Sequence, residues 1–141
     1  MTIKELQEEI IDEFSMFEDW MERYEYIIDL GKSLPLIDET YKIDQNLIKG
    51  CQSKVWLHSE LQDGKLVFTA DSDAILTKGI VALLLRVFNE QDPASIIAAE
   101  MAFIDQIELK EHLSPTRANG LVSMIKQIKL YALAFQTKMS S

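Results

Sequence analysis

Apolar residues recur at helical spacing from the third position onward. Ile3, Leu6, Ile10, Phe14 and Phe17 line one face of a predicted helix. Thr2-Ile3-Lys4-Glu5 opens it as a capping box, in which hydroxyl and carboxylate each satisfy a backbone amide of the first turn. A second box, Ser15-Met16-Phe17-Glu18, predicts a new helix bent away from the first, with Trp20, Tyr24, Ile27 and Ile28 as its apolar stripe. Gly31 stands where a left-handed residue would stop that helix, and Leu34-Pro35 follows as the exit.

The period then shortens to alternation. Lys54 to Leu61 and Lys65 to Ala70 read as strands joined by an Asp63-Gly64 turn. Val55 and Leu57 share one face and Trp56 and His58 the other; on the return strand Leu66 and Phe68 oppose Val67 and Thr69. An isolated hairpin is marginal, so a third strand or a helical cover is expected, with the stretch around Tyr41 to Asp44 as the candidate strand. Asp71-Ser72-Asp73 ends the hairpin and supplies an N-cap for a helix over Ala74 to Phe88. There Ile75, Leu76, Ile80, Val81, Leu83, Leu84, Leu85 and Val87 nearly encircle the axis, which predicts a central, buried helix. Gly79 within it permits close approach of a neighbouring backbone. Asp92-Pro93 and Ser114-Pro115 each set a cap before a proline at the first helical position. The second opens the last long helix, with Leu121, Met124, Ile125, Ile128, Ala132 and Phe135 as its stripe. There is no internal repeat and no linker rich in glycine, serine or proline. The expected architecture is one α+β domain over residues 1–141, a small antiparallel sheet (the hairpin, with or without a third strand) packed by about five helices.

Composition narrows the class of function. Hydrophobic residues make up 48% of the chain, which excludes a disordered polypeptide. The most apolar stretch, Gly79 to Val87, is too short to span a bilayer. Met1-Thr2-Ile3-Lys4-Glu5 has no basic segment leading into an apolar run, so no signal peptide is expected and a cytoplasmic protein is. The formal net charge of −9, with lysines scattered rather than clustered, argues against nucleic acid and anionic membrane as partners and favours proteins.

The chain has one cysteine, Cys51, within Asn46-Leu47-Ile48-Lys49-Gly50-Cys51-Gln52-Ser53-Lys54-Val55-Trp56. One thiol can neither close a disulfide within the chain nor by itself hold an iron–sulfur cluster or a structural zinc. A lone cysteine is commonly a small core hydrophobe, but Gly50, Gln52 and Ser53 are small or polar and suit a thiol presented on a loop at a strand's edge. A reactive thiolate needs positive potential nearby; Lys49 and Lys54 adjoin it, and Arg117 and His112 are more distant candidates. A cysteine hydrolase would need His58 or His112 as base, and no established Cys-His signature is present. A metal site from Cys51, Asp71 or Asp73 and a histidine has no diagnostic spacing. No phosphate-cradling glycine loop or dinucleotide fingerprint occurs. A free-standing thiol enzyme and a docking protein with an incidental cysteine both stay open on the residues alone.

Several blocks resemble the SufE family of sulfur-acceptor proteins: Trp20 through Gly31 with Leu34-Pro35, Asn46 through Trp56 with its Gly50-Cys51-Gln52-Ser53 core, Asp71-Ser72-Asp73-Ala74 with Lys78-Gly79, and His112-Leu113-Ser114-Pro115-Thr116-Arg117 with Gly120-Leu121. The resemblance implies a partner and activator of a cysteine desulfurase (SufS-like). The residue matching Cys51 takes persulfide sulfur and passes it to an iron–sulfur scaffold complex (SufBCD-like). Pyridoxal phosphate would belong to the desulfurase, with no cofactor or metal on this chain. The resemblance further implies an IscU-like fold, a role for Asp73 beside the Cys51 loop, and a place for Arg117 near the desulfurase contact. A monomer or weak homodimer is expected. A sibling of the family that serves another desulfurase and routes sulfur to tRNA modification or elsewhere would share all these blocks.

Overall fold

The computed structural model describes residues 1–140. Thr2 starts α1 (Ile3–Ser15) with both halves of the capping box formed: its hydroxyl accepts from the Glu5 amide at 3.1 Å and its own amide donates to the Glu5 carboxylate at 2.9 Å. The second helix begins later than the Ser15 box predicts. Ser15 completes α1, its hydroxyl donating to the Asp12 carbonyl, and α2 (Trp20–Gly31) is capped by Asp19, whose carboxylate accepts from the Glu22 amide at 2.9 Å. A charged carboxylate is the stronger acceptor for an orphan amide, and it also suits the positive end of the helix.

The hairpin forms as predicted. β1 (Val55–Gln62) pairs antiparallel with β2 (Lys65–Ser72), from Val55 opposite Ser72 to Gln62 opposite Lys65. Asp63 and Gly64 both have positive φ, 52° and 79°, the geometry a two-residue turn of matching twist requires. Val55, Leu57, Leu66, Phe68 and Ala70 turn inward and are buried.

Among the described residues no third strand joins them, and the sheet has two strands. The stretch expected to pair is taken up by two 3-10 turns, Glu39–Tyr41 and Asp44–Asn46. Local side-chain chemistry wins there. The Asp38 carboxylate accepts from the Thr40 amide and the Asn46 side chain donates to the Tyr41 carbonyl, closing turns that compete with a ladder. Short pairings cover the hairpin's edges instead. Pro35 and Ile37 exchange hydrogen bonds with Ala70 on one side, and the Ile48 amide donates to the Val55 carbonyl on the other.

α3 (Ile75–Phe88) is the central helix, with Ile80, Val81, Leu83, Leu84, Leu85, Val87 and Phe88 buried. Its first residue departs from the predicted apolar ring, since Ile75 is 70% exposed. α2 lies against it at a seam of two glycines. A Cβ placed on Gly79 would sit 2.1 Å from the Ile27 carbonyl oxygen, and one on Gly31 would sit 3.1 Å from the Gly79 nitrogen. Gly31 is therefore not a left-handed stop: it has no positive φ, Lys32 after it stays right-handed, and its missing side chain serves helix contact. Arg86 of α3 binds Glu9 and Glu13 of α1 and reaches Tyr26 of α2, tying three helices together at their polar edge.

Asp92 caps α4 (Pro93–Ala98) as expected, and an unforeseen short α5 (Ala102–Gln106) follows. α6 (Pro115–Ser140) runs from the predicted Ser114-Pro115 start and buries Leu121, Met124, Ile128 and Ala132. The architecture is α+β, with six α-helices among the described residues where about five helices were expected. Among the described residues no helix is long and apolar enough to cross a membrane.

Candidate functional site

Cys51 sits on a loop closed at its neck by the hydrogen bond from the Ile48 amide to the Val55 carbonyl, 2.9 Å. Gly50 has φ +91°, a backbone conformation that favours glycine, and a Cβ there would push the Ser123 hydroxyl aside. The returning limb is held by Asp73. Its carboxylate accepts from the Lys54 amide at 3.0 Å, and its own amide donates to the Lys54 carbonyl at 3.2 Å. Of its two expected roles, N-cap of α3 and a place beside the Cys51 loop, the geometry fits the second: Ala74 occupies the cap position of α3 without a side-chain hydrogen bond, and Asp73 anchors the loop.

The thiol is half-buried and faces α6, where it donates to the Gly120 carbonyl at 3.7 Å. Beside it lies a cavity of about 40 Å³. Gln52 and Ser53 line it from the loop, Thr77 and Ile80 from α3, and Thr116, Arg117, Gly120 and Met124 from α6. Arg117 is exposed at the rim, its backbone amide donating to the Ser114 hydroxyl, and its guanidinium has no partner among the described residues. Burial raises the Cys51 pKa above that of a free cysteine, because the thiolate is the form that loses hydration. The resting site thus holds a neutral thiol, weakly nucleophilic until something exposes it or brings a cation. Alkylation of Cys51 by iodoacetamide is expected to rise with pH through a midpoint above that of the same chain unfolded in urea. A folded-state midpoint at or below the unfolded one would contradict this seat for the sulfur.

The histidines lie elsewhere. His112 stacks on Trp20 with ring centres 3.9 Å apart, its ring nitrogen lies 3.0 Å from the Glu108 carbonyl, and its own carbonyl accepts from the Tyr24 hydroxyl. Those contacts fasten the segment before α6 onto α2. His58 stacks on Tyr41 and contacts Glu60. Neither imidazole lines the Cys51 cavity, which leaves a Cys-His hydrolase without its base. Asp71 is taken up by Lys42 and Lys78, at 2.6 and 3.4 Å. Among the described residues no group of three or more His, Cys, Asp or Glu is placed to hold a metal.

The tertiary structure therefore gathers Gly50, Cys51, Gln52, Ser53, Asp73 and Arg117, and leaves His112 out. It adds Thr77, which composition and motif reading passed over. One signal was present: Thr77 is a polar residue on the buried side of the most apolar helix.

Comparison with known proteins agrees in extent. The SufE family model, a Fe-S metabolism associated domain, matches residues 8–132. An uncharacterized SufE-like protein of Rhizobium meliloti (strain 1021) is 40% identical over 127 residues, covering 86% of this chain and 91% of its own. Another from Rhizobium etli is 41% identical over 128 residues, covering 86% of each chain. A third from Synechocystis sp. is 39% identical over 127 residues, covering 90% of this chain and 80% of its own. The solution structure of a hypothetical protein from Thermus thermophilus superposes with a TM-score of 0.78, covering 94% of this chain and 96% of the other. At 16% identity that likeness speaks for the fold alone. With the family match running from the first helix into the last, and relatives alike across most of both chains, the protein belongs to the SufE family.

Proposed function

We propose that Cys51 accepts sulfane sulfur from the persulfide of a SufS-like cysteine desulfurase, stimulates that enzyme by clearing its product, and hands the sulfur to a SufBCD-like iron–sulfur scaffold complex. The observation that carries the reading is the placement of the chain's single thiol, on a glycine-turned loop pinned by Asp73, half-buried against α6 and beside an uncommitted Arg117. The family's association with Fe–S metabolism supports the same direction.

The transfer is an ordinary thiol exchange. Docking draws the loop outward, rehydrates the sulfur and lowers the cost of its ionisation. The Cys51 thiolate attacks the outer sulfur of the donor persulfide; a new sulfur–sulfur bond forms, the old one breaks, and the donor cysteine leaves as thiolate. No net oxidation occurs. Pyridoxal phosphate does its work on the desulfurase, not on this chain. Arg117 steadies the anionic sulfur or pairs with acidic groups of the partner.

Mixing the protein with a cysteine desulfurase and L-cysteine should add one sulfur, about 32 Da, to the intact chain. Digestion should place the added mass on the peptide containing Cys51. No gain in mass, together with unchanged desulfurase turnover, would remove the carrier reading.

A further inference from the structure

Thr77 interrupts the apolar run of α3 on its inward side. Only 5% of it is exposed, and its hydroxyl makes no hydrogen bond among the described residues. A helical threonine ordinarily returns its hydroxyl to the carbonyl one turn back, as Thr137 does to Leu133 at 2.9 Å. The hydroxyl oxygen is not among the fully enclosed unpaired atoms, which among the described residues are Arg23 Nε and Ser59 Oγ, so it keeps some contact with solvent and is available to donate. Thr77 lines the cavity beside Cys51.

The polar groups around that cavity are mismatched to the resting thiol. A neutral S–H needs an acceptor, and the Gly120 carbonyl provides it. It has no need of donors, yet Thr77 of α3 and Arg117 of α6, each carrying a donor, line the same cavity. A persulfide reverses those needs. Its terminal sulfur is more acidic than a thiol, because the neighbouring sulfur withdraws charge, and the resulting anion takes hydrogen bonds from donors. There is also room: a water-sized atom needs about 10–15 Å³ of such space, and the cavity has about 40 Å³.

We propose that Thr77 is a sulfur-binding residue, its hydroxyl donating to the terminal sulfur of a Cys51 persulfide held in this cavity. The inference rests on the carrier reading and deepens it. The resting protein keeps the donor unpaired, and the arriving sulfur satisfies it. Arg117 at the rim adds positive potential. Loaded sulfur is thereby held against removal by small thiols, which would attack the terminal sulfur and release Cys51 as thiolate.

The test loads the protein with desulfurase and L-cysteine, removes the desulfurase by an affinity tag, and follows loss of the added sulfur to glutathione by intact mass. Thr77→Val is expected to lose it about tenfold faster than the parent, as suits loss of one hydrogen bond to a charged group. Thr77→Ser, which keeps the hydroxyl, should stay within about twofold of the parent on the same reasoning. Thr77→Val should also melt no lower than the parent, since no resting hydrogen bond is lost. Thr77→Ala, free of any misfit methyl, should match Thr77→Val in sulfur loss. Equal persistence in parent, Thr77→Val and Thr77→Ala would overturn the inference and leave the carrier reading standing. Loss as fast in Thr77→Ser as in Thr77→Val would overturn it too, by assigning the effect to packing. A parent that takes up no sulfur at all would defeat the carrier reading itself, and the inference with it.

Discussion

Cys51→Ser is expected to accept no sulfur from a cysteine desulfurase and to give no stimulation of its turnover, while folding as the parent does. A serine hydroxyl cannot form a persulfide, and the chain has no other cysteine to take over. The fold has little at stake in this atom. The sulfur is half-buried and makes one long, weak hydrogen bond to the Gly120 carbonyl, so little is lost when a shorter hydroxyl fails to reach it. Exchange of one atom at such a place costs about 1 kcal/mol or less, a fall in melting temperature of roughly 4 °C or less. Intact-mass loading and a thermal melt on the same sample separate the outcomes. Sulfur uptake that survives the substitution would move the site elsewhere. A collapsed fold would make Cys51 a core residue.

Gly79→Ala should have the largest effect on stability, about 3 kcal/mol or more. Alanine is the better helix former by about 1 kcal/mol, so α3 by itself would gain. The seam with α2 outweighs that gain. The new methyl carbon would lie 2.1 Å from the Ile27 carbonyl oxygen and 2.7 Å from its carbon, both backbone atoms that no rotamer change can clear. One helix must back away from the other, loosening contacts along the seam. Gly31→Ala is expected to be milder, about 1 kcal/mol, since its nearest contact is 3.1 Å and a slight shift relieves it. Urea unfolding of the three proteins orders them as parent, Gly31→Ala, Gly79→Ala. Equal midpoints for parent and Gly79→Ala would mean the helices pack further apart than the structure places them.

The two glycines show where local reading works and where it stops. Gly79 interrupts a helix that is apolar nearly all round, so a close backbone neighbour was legible from the residue and its surroundings. Gly31 follows a helical stripe and precedes Leu34-Pro35, which reads as a stop. Its real constraint comes from Gly79, a residue brought close only when α2 packs on α3. The missing third strand has the opposite cause. The apolar alternation near Tyr41 was too short to outweigh Asp38 and Asn46, whose side chains close turns over a few positions.

At the site, the solitary thiol, the small and polar loop around it and the hairpin it precedes were all legible in the order of residues, as were the caps that start α1, α4 and α6. These follow from chemistry acting over one turn of helix or one pair of strands, and such chemistry is complete within a short stretch of chain. Packing was needed to show that Asp73 holds the amide of Lys54, 19 positions away, rather than capping α3. It was needed again to commit the His112 ring to Trp20, and to bring Thr77 of α3 and Arg117 of α6 to one small cavity beside Cys51. Each of those outcomes is a competition among distant groups for the same donor, face or space. The distances between them exist only in the folded chain, and those distances select which partner wins.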